Sequence, residues 1–164
     1  MPATMREVVQ VPGADDMRAL GRRLSSVLRP GDLVVLSGPL GAGKTTLVQG
    51  IGEGLRVRGP VTSPTFVIAR VHPPLCGGPA LVHADAYRLG SVAELDDLDL
   101  DTDAGSSVTV VEWGEGMAEG LSEDRLEISI GISGGTQTRT VRLAGVGPRW
   151  ARTALPPANG PVRT

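Results

Sequence analysis

The segment GPLGAGKT at residues 38–45 constrains the fold of this chain more than any other part of its sequence. It satisfies the pattern G-x-x-x-x-G-K-[ST], which joins a buried strand to a helix in phosphate-binding proteins. The run DLVVLS at 32–37 precedes it without alternation of apolar and polar residues, as expected of a strand covered on both faces of a parallel sheet. A helix is expected at 44–55. Strand, glycine-rich turn and helix in this order predict an α/β fold.

The glycines of this segment predict a site for a polyphosphate. They permit a turn whose backbone N–H groups point inward, and the following helix directs the positive end of its dipole at the same place. Lys44 is expected to reach the β- and γ-phosphates, and the Thr45 hydroxyl to bind Mg²⁺. The structural alternative is a glycine-rich turn that carries an exposed lysine. The other positions of the segment expected to bind the nucleotide are Gly38, Gly41, Ala42, Gly43 and Thr46.

Lys44 is also the only lysine of the chain. The guanine-binding signature N-K-x-D needs a second lysine, which disfavours an ordinary GTPase. The net charge is -2 and the arginines are spread along the chain, so tight direct binding of nucleic acid is disfavoured as well. A small-molecule kinase stays open, because such enzymes share the phosphate loop and add arginines that clamp the phosphates. The candidates for that role are Arg70 and Arg88.

The composition indicates one globular domain. The chain has 164 residues, of which 40% are hydrophobic and 21% charged, as in ordinary soluble domains. We expect the domain to cover residues 5–150 and residues 151–164 to form a flexible tail, because the tail lacks an apolar period. The N-terminal stretch lacks a signal-peptide pattern, Cys76 is the only cysteine, and no apolar run reaches the ~18 residues that cross a bilayer. A cytoplasmic location without membrane contact is therefore expected.

Apolar periodicity predicts a mainly parallel sheet flanked by helices, of P-loop NTPase type, with antiparallel C-terminal strands. A strand at 5–11 leads into a helix that is capped by Asp15 or Asp16 and runs through Leu28. Three glycines, at positions 50, 52 and 54, are expected to weaken the end of the second helix. The other expected elements are strands at 66–71, 80–84 and 108–111, a short helix at 91–100, and a hairpin of 125–133 and 136–144 around Gly134 and Gly135.

Two acidic residues follow predicted strands and are candidates for holding a metal or a water. Glu112 follows four strand-forming residues that deliver it to the carboxyl edge of the sheet, where open α/β folds bind ligands. Asp85 follows the strand at 80–84 in the same way and is the second candidate. The alternative for each is a solvated or ion-paired loop carboxylate. His83 is better explained as a buried structural histidine than as a catalytic one, because no nucleophile is adjacent in the sequence.

Three further stretches, taken with the phosphate loop, resemble the TsaE (YjeE) family in both identity and order. They are SPTF at 63–66, HADAYR at 83–88 and VEWGE at 111–115, and the resemblance covers about residues 5–150. It implies a small bacterial P-loop ATPase that uses ATP and Mg²⁺ and works with the TsaB and TsaD proteins in making threonylcarbamoyladenosine at position 37 of tRNAs reading A-starting codons. Hydrolysis would be weak without the partners, and tRNA would be reached only through their complex.

The resemblance also implies roles for residues outside the phosphate loop. Thr65 would face the γ-phosphate from a switch-like segment, and Asp85 would be the acidic residue near the metal and the water. Glu112 would share Mg²⁺ with Thr45, and Trp113 would lie beside the nucleotide. The implied catalytic residues are therefore Lys44, Thr65, Asp85 and Glu112.

Three function classes are compatible with these observations. The first is a partner-coupled ATPase, the second a small-molecule kinase, and the third an assembly factor that needs nucleotide but not its hydrolysis. Phosphate release stimulated by TsaB and TsaD favours the first class, and a phosphorylated acceptor without free phosphate favours the second. Nucleotide-dependent complex formation that survives Glu112→Ala, with full tRNA modification, favours the third.

Overall fold

The computed structural model describes residues 3–39, 41–57, 69–75, 78–85, 107–112, 124–132 and 137–151. No helix within these ranges is long and apolar enough to cross a membrane. A 3₁₀ turn at Pro148–Trp150 follows the last strand. The strands and helices in chain order are β1 (Ala3–Val11), α1 (Ala14–Ser25), β2 (Leu33–Ser37), α2 (Lys44–Leu55), β3 (Ala69–His72), β4 (Ala80–Asp85), β5 (Ser107–Glu112), β6 (Arg125–Ile132) and β7 (Arg139–Val146).

The strands form one 7-stranded mixed sheet in the order β1-β7-β6-β2-β5-β4-β3. Its centre is parallel, because β2 pairs in parallel with both β5 and β6, and β4 pairs in parallel with β5. The antiparallel pairs lie outside this centre, with β7 between β6 and β1 and with β3 on β4. Since β1 runs in the direction of the central strands, only β3 and β7 oppose them. The predicted α/β fold is confirmed, with a parallel core and antiparallel C-terminal strands.

Both helices pack on one face of this sheet. Alternate residues of the strands, such as Val34 and Leu36 of β2, are fully buried in the same cluster as residues of α1 and α2. The alternation explains why the run that forms β2 can be apolar throughout, because Val35 on the opposite face is also buried. The residues that the helices contribute to this core are Met17, Leu20, Leu24, Leu47, Val48, Ile51 and Leu55.

Glycines bring the backbones of α1 and α2 into direct contact. A Cβ at Gly50 would overlap the carbonyl oxygen of Arg18, and a Cβ at Gly21 would overlap that of Leu47. The low helix propensity of the glycines does not fray the end of α2. The helix remains regular through Leu55, because tertiary packing against α1 overrides the low helix propensity of glycine.

The boundaries of α1 differ from the predicted ones. The cap is Gly13, whose backbone is extended and whose carbonyl accepts the first helical hydrogen bond from the Met17 amide at 3.1 Å. Asp15 and Asp16 occupy the first turn instead, where their charges favour the positive end of the dipole. The helix ends at Ser25 rather than continuing through Leu28, although Leu28 still packs into the core from the following turn.

The remaining strands lie close to their predicted positions. β3 and β4 are neighbours in the sheet. β3 extends to His72, and residues 66–68 of the predicted strand lie outside the described part of the chain. β6 and β7 pair antiparallel as expected, and β7 extends to Val146. The hairpin turn at 134–135, the helix expected at 91–100 and the expected tail beyond residue 151 also lie outside the described residues.

The last described turn is tied to the connection between α1 and β2. The Arg149 side chain donates to both carboxylate oxygens of Asp32, at 3.0 and 2.9 Å, and to the Val27 carbonyl at 2.6 Å. The same guanidinium lies 4.2 Å from the ring centroid of Trp150, which is fully buried. These contacts hold the end of the described chain against the edge of the core opposite the phosphate loop.

We predict that Gly50→Ala destabilises the protein, although alanine is the better helix former by about 1 kcal/mol. The added Cβ forces α1 and α2 apart, and overpacking of this kind costs about 1–3 kcal/mol. The measurement is the free energy of unfolding in urea.

Gly13→Ser is the control for Gly50→Ala, because a Cβ at Gly13 would come no closer than 3.7 Å to the Asp16 carboxylate. Glycine and serine are both accepted as helix N-caps, so this replacement should change the unfolding free energy by only a few tenths of a kcal/mol. A Gly50→Ala protein as stable as the parent would contradict the backbone contact between the helices.

Candidate functional site

The turn at 38–43 carries the chain from the carboxyl end of β2 into α2. Gly41 and Gly43 have φ angles of 81° and 106°, which residues with a side chain rarely adopt. Gly38 is needed for a different reason, because a Cβ there would lie 2.9 Å from the Ile130 carbonyl oxygen of β6. The glycines of the motif therefore serve both an unusual backbone conformation and a close approach to the neighbouring strand.

The N-terminal end of α2 faces this turn. The first hydrogen bond of the helix runs from the Leu47 amide to the Gly43 carbonyl at 3.0 Å. The amides of Lys44, Thr45 and Thr46 precede it in the chain and so have no acceptor within the helix. Together with the helix dipole they form an end of positive potential that suits an anion.

Lys44 is buried in the turn rather than exposed. Only 7% of the residue is accessible, and its Nζ donates to the Gly38 carbonyl at 2.8 Å. The alternative of a glycine-rich turn with an exposed lysine is therefore wrong. The ammonium group lies across the turn, between the start of α2 and the end of β2.

Glu112 ends β5 beside the turn. It is the register partner of Leu36 in β2 on one side and of Asp85 in β4 on the other. The residue is only 5% exposed, so it is not a solvated loop carboxylate. The backbone of Asp85 lies next to it at the same sheet edge, as expected, and the Asp85 side chain lies outside the described part of the structure.

His83 is in contact with this carboxylate. The ring is fully buried, and its Nε2 lies 2.5 Å from Oε2 of Glu112. An ionised carboxylate can only accept a hydrogen bond, so Nε2 is the donor to it. The sequence predicts a buried structural histidine here, and the burial is confirmed. The contact with Glu112 has no signal in the sequence, because it depends on the pairing of β4 with β5.

A cavity of about 340 Å³ adjoins the other side of the turn. It lies between the start of α1, the turn, the first turn of α2 and the residues leading into β7. Two of its polar residues, Gln137 and Arg139, belong to no motif and are missed by sequence reasoning. The lining consists of Gly13, Ala14, Met17, Gly41, Ala42, Gly43, Thr46, Gln137 and Arg139.

The model of the family described as "Threonylcarbamoyl adenosine biosynthesis protein TsaE" matches residues 11–141 of the chain. This match spans the glycine turn, both helices, and the ends of β4 and β5 that carry Asp85 and Glu112. The chain belongs to the TsaE family. The resemblance stated from the sequence motifs is thus confirmed.

Curated TsaE proteins match the chain over most of its length. The tRNA threonylcarbamoyladenosine biosynthesis protein TsaE of Streptomyces coelicolor is 63% identical over 139 residues, which are 82% of this chain and 94% of that protein. The TsaE protein of Mycobacterium tuberculosis is 54% identical over 127 residues, with 73% of this chain and 76% of that protein covered. The Bacillus subtilis TsaE protein is 36% identical over 137 residues, with 83% and 84% covered.

A solved structure shares the fold. The crystal structure of Bacillus subtilis YdiB superposes with a TM-score of 0.71 at 31% sequence identity, and the match covers 89% of each chain. The topology described above is therefore shared with an experimentally determined structure.

Several residues singled out by the TsaE motifs lie outside the described residues. They include Thr65, Arg88 and Trp113, so their roles stay predictions. The side chain of Arg70, a candidate phosphate clamp of the kinase alternative, also lies outside the described part of the chain. Within the described ranges no group of three or more His, Cys, Asp and Glu side chains is arranged to hold a metal. A Mg²⁺ site formed by one carboxylate, one hydroxyl and phosphate oxygens does not need such a group, because Mg²⁺ keeps several waters.

We predict that Gly43→Ala destabilises the protein in the absence of any ligand. Forcing a residue with a Cβ into this left-handed conformation costs roughly 1–2 kcal/mol, and the Cβ would also press on the Met17 methyl group at 3.3 Å. Gly131→Ala is the matched control, since its Cβ would meet only the Thr140 carbonyl, at 3.8 Å. Thermal denaturation should show a loss of stability for Gly43→Ala alone, and equal behaviour of the two variants would contradict the described turn.

Proposed function

We propose that this protein binds ATP and Mg²⁺ at the N-terminal end of α2 and hydrolyses ATP weakly, as the partner of TsaB and TsaD in forming threonylcarbamoyladenosine at position 37 of tRNAs reading A-starting codons. The observation that carries the proposal is the buried Lys44 ammonium, which bonds to Gly38 within the glycine turn, together with the buried Glu112 at the end of the strand that pairs with β2. A buried cation and a buried anion at one helix N-terminus fit a ligand with both phosphate and metal. Membership of the TsaE family supplies the pathway.

Lys44 and the first amides of α2 would bind the phosphates. The amides donate hydrogen bonds from fixed positions, and the helix dipole adds to their attraction for negative charge. In this structure Lys44 donates from Nζ to the Gly38 carbonyl at 2.8 Å, and this carbonyl is a neutral acceptor. Phosphate oxygens are stronger acceptors for an ammonium group, because their negative charge attracts the cation in addition to accepting the hydrogen bond. The lysine is therefore placed to exchange the carbonyl for a phosphate.

Thr45 and Glu112 would hold the metal. Glu112 fits this role because it is a buried carboxylate with a single hydrogen-bond donor among the described residues, His83, which engages only Oε2. Hard oxygen ligands are those that Mg²⁺ prefers. When bound, Mg²⁺ would neutralise charge on the β- and γ-phosphates. We assign the water-orienting role to Asp85, which ends the neighbouring strand.

The cavity of about 340 Å³ would receive the nucleoside. Its volume is within the range of about 300–1,000 Å³ typical of small-molecule sites. The sheet order places β6 and β7 on one side of β2 and β5 on the other, so the cavity and Glu112 flank the turn from opposite sides. A nucleotide that enters from the cavity would run across the N-terminus of α2 and reach Glu112 with its terminal phosphates.

In this proposal the protein does not transfer the threonylcarbamoyl group itself. ATP binding and hydrolysis would alter the switch-like segment that contains Thr65, and so change the state of the TsaB–TsaD complex in the cytoplasm. The tRNA would be contacted only through that complex. The kinase alternative gains no support from the described residues, because neither Arg70 nor Arg88 has a described side chain.

We predict that Lys44→Ala loses most ATP binding and lowers hydrolysis by about 10²-fold or more, the usual cost of removing one fixed charge from such a site. Glu112→Gln should keep binding of metal-free nucleotide and lose the Mg²⁺-dependent part of binding and turnover. The measurements are nucleotide titration and phosphate release, with and without TsaB and TsaD. Arg22→Ala is the control, since it removes an exposed cation that pairs only with Glu53 in the described structure.

The outcomes separate the three function classes. Phosphate release that TsaB and TsaD stimulate, and that Lys44→Ala abolishes, supports the proposal. A phosphorylated acceptor without free phosphate would contradict the proposal and show that the protein is a kinase. Full tRNA modification by Glu112→Gln would contradict it and show that the protein is an assembly factor. Lys44→Ala that binds and hydrolyses ATP like the parent would end the site assignment.

A further inference from the structure

The contact between His83 and Glu112 joins two buried polar side chains across neighbouring strands. His83 is fully buried in β4, and the Glu112 side chain at the end of β5 is 6% exposed. The contact runs diagonally, because the register partner of His83 is Val110 and that of Glu112 is Asp85. Alternation along the strands puts both side chains on the sheet face that carries α1 and α2.

The hydrogen bond from His83 occupies one oxygen of the Glu112 carboxylate. Nε2 of His83 donates to Oε2, and the described residues give Oε1 no hydrogen bond. A buried carboxylate bound through one oxygen cannot rotate freely about its last bond. The second oxygen of Glu112 is thereby held in one direction, at the sheet edge beside the N-terminus of α2.

Packing alone does not explain a histidine at this position. Nδ1 of His83 is buried and has no hydrogen-bond partner among the described residues. An apolar side chain of similar size would fill the same space without leaving a buried polar atom unpaired. The ring makes one described hydrogen bond, and that bond goes to Glu112.

We propose that His83 is a positioning residue that orients the Glu112 carboxylate, so that Oε1 is presented to the metal of a bound nucleotide. The inference rests on the proposed function, since Glu112 is its metal ligand. A donor behind a metal-binding carboxylate raises metal affinity by fixing the ligand before the metal arrives. His83 itself touches neither nucleotide nor metal.

The test compares three replacements of His83 by the binding of Mn²⁺ to the ADP-loaded full chain, followed by electron paramagnetic resonance. His83→Leu removes the donor, and His83→Asn has an amide that is too short to reach Glu112. His83→Gln places an amide donor near the position of Nε2. We expect Leu and Asn to weaken Mn²⁺ binding by about 10–100-fold, the usual effect of losing such a partner, and Gln to restore most of it. The affinity for ADP without metal should be unchanged in all three.

Two controls separate this inference from the proposed function. His72→Gln alters another buried histidine whose register partner, Leu81, lies toward the other end of β4, and should leave Mn²⁺ binding unchanged. Glu112→Gln should abolish the part of the Mn²⁺ affinity that the Glu112 carboxylate contributes. If it does and the His83 variants bind Mn²⁺ like the parent, His83 has no positioning role and the proposed function stands.

Three further outcomes would overturn the positioning role of His83. Equal weakening by Leu, Asn and Gln would overturn positioning through a hydrogen bond. If His83→Leu does not fold, the comparison of Gln with Asn decides, and equal affinities of these two would overturn the inference. Unchanged Mn²⁺ binding by Glu112→Gln would remove the metal site itself, and the inference would fall with the proposed function.

Discussion

The backbones of α1 and α2 touch each other at two glycines. At Gly21 and Gly50 a single added carbon would collide with a carbonyl oxygen of the facing helix. Helices that approach this closely cannot slide or rotate independently, because any change brings backbone atoms into overlap. The position of α2 on the sheet is therefore set along its length, and with it the position of its N-terminus above the carboxyl end of β2.

The candidate site lies between the N-terminus of α2 and the carboxyl edge of the sheet. On the β5 side the helix end meets Glu112, whose carboxylate is anchored by His83. On the β6 and β7 side it meets a cavity with Arg139 at its rim. Lys44 is buried and bonds to the Gly38 carbonyl within the turn itself. An anion attracted by the helix end would thus find a cation in the centre, a metal ligand on one flank and room for an organic group on the other.

Much of this could be predicted from the sequence, because local chemistry decides it. Only a glycine-rich turn fits the conformation at 38–43, and the expected helix at 44–55 coincides with α2. The position of Glu112 at the sheet edge could be predicted from the strand-forming residues before it. The end of α1 could not be predicted in the same way. Leu28 continues the apolar period although it packs into the core from a turn, and Gly13 replaces an aspartate as the cap.

The rest depends on contacts between segments that are distant along the chain. The role of Gly50 reverses once α1 lies against it, since a weak helix former becomes the residue that permits the contact. The hydrogen bond from His83 to Glu112 needs the register of β4 on β5, which no local pattern specifies. Gln137 and Arg139 reach the cavity because β7 lies beside β6. These features follow from topology and not from residue type.

The most direct measurement is a crystal structure of the protein with a non-hydrolysable ATP analogue and Mn²⁺, in which anomalous scattering locates the metal. We expect the triphosphate on the amides at the start of α2 and a single Mn²⁺ peak within coordination distance of both the Thr45 hydroxyl and the Glu112 carboxylate. An analogue bound elsewhere, or a metal peak that touches neither side chain, would contradict the proposed site.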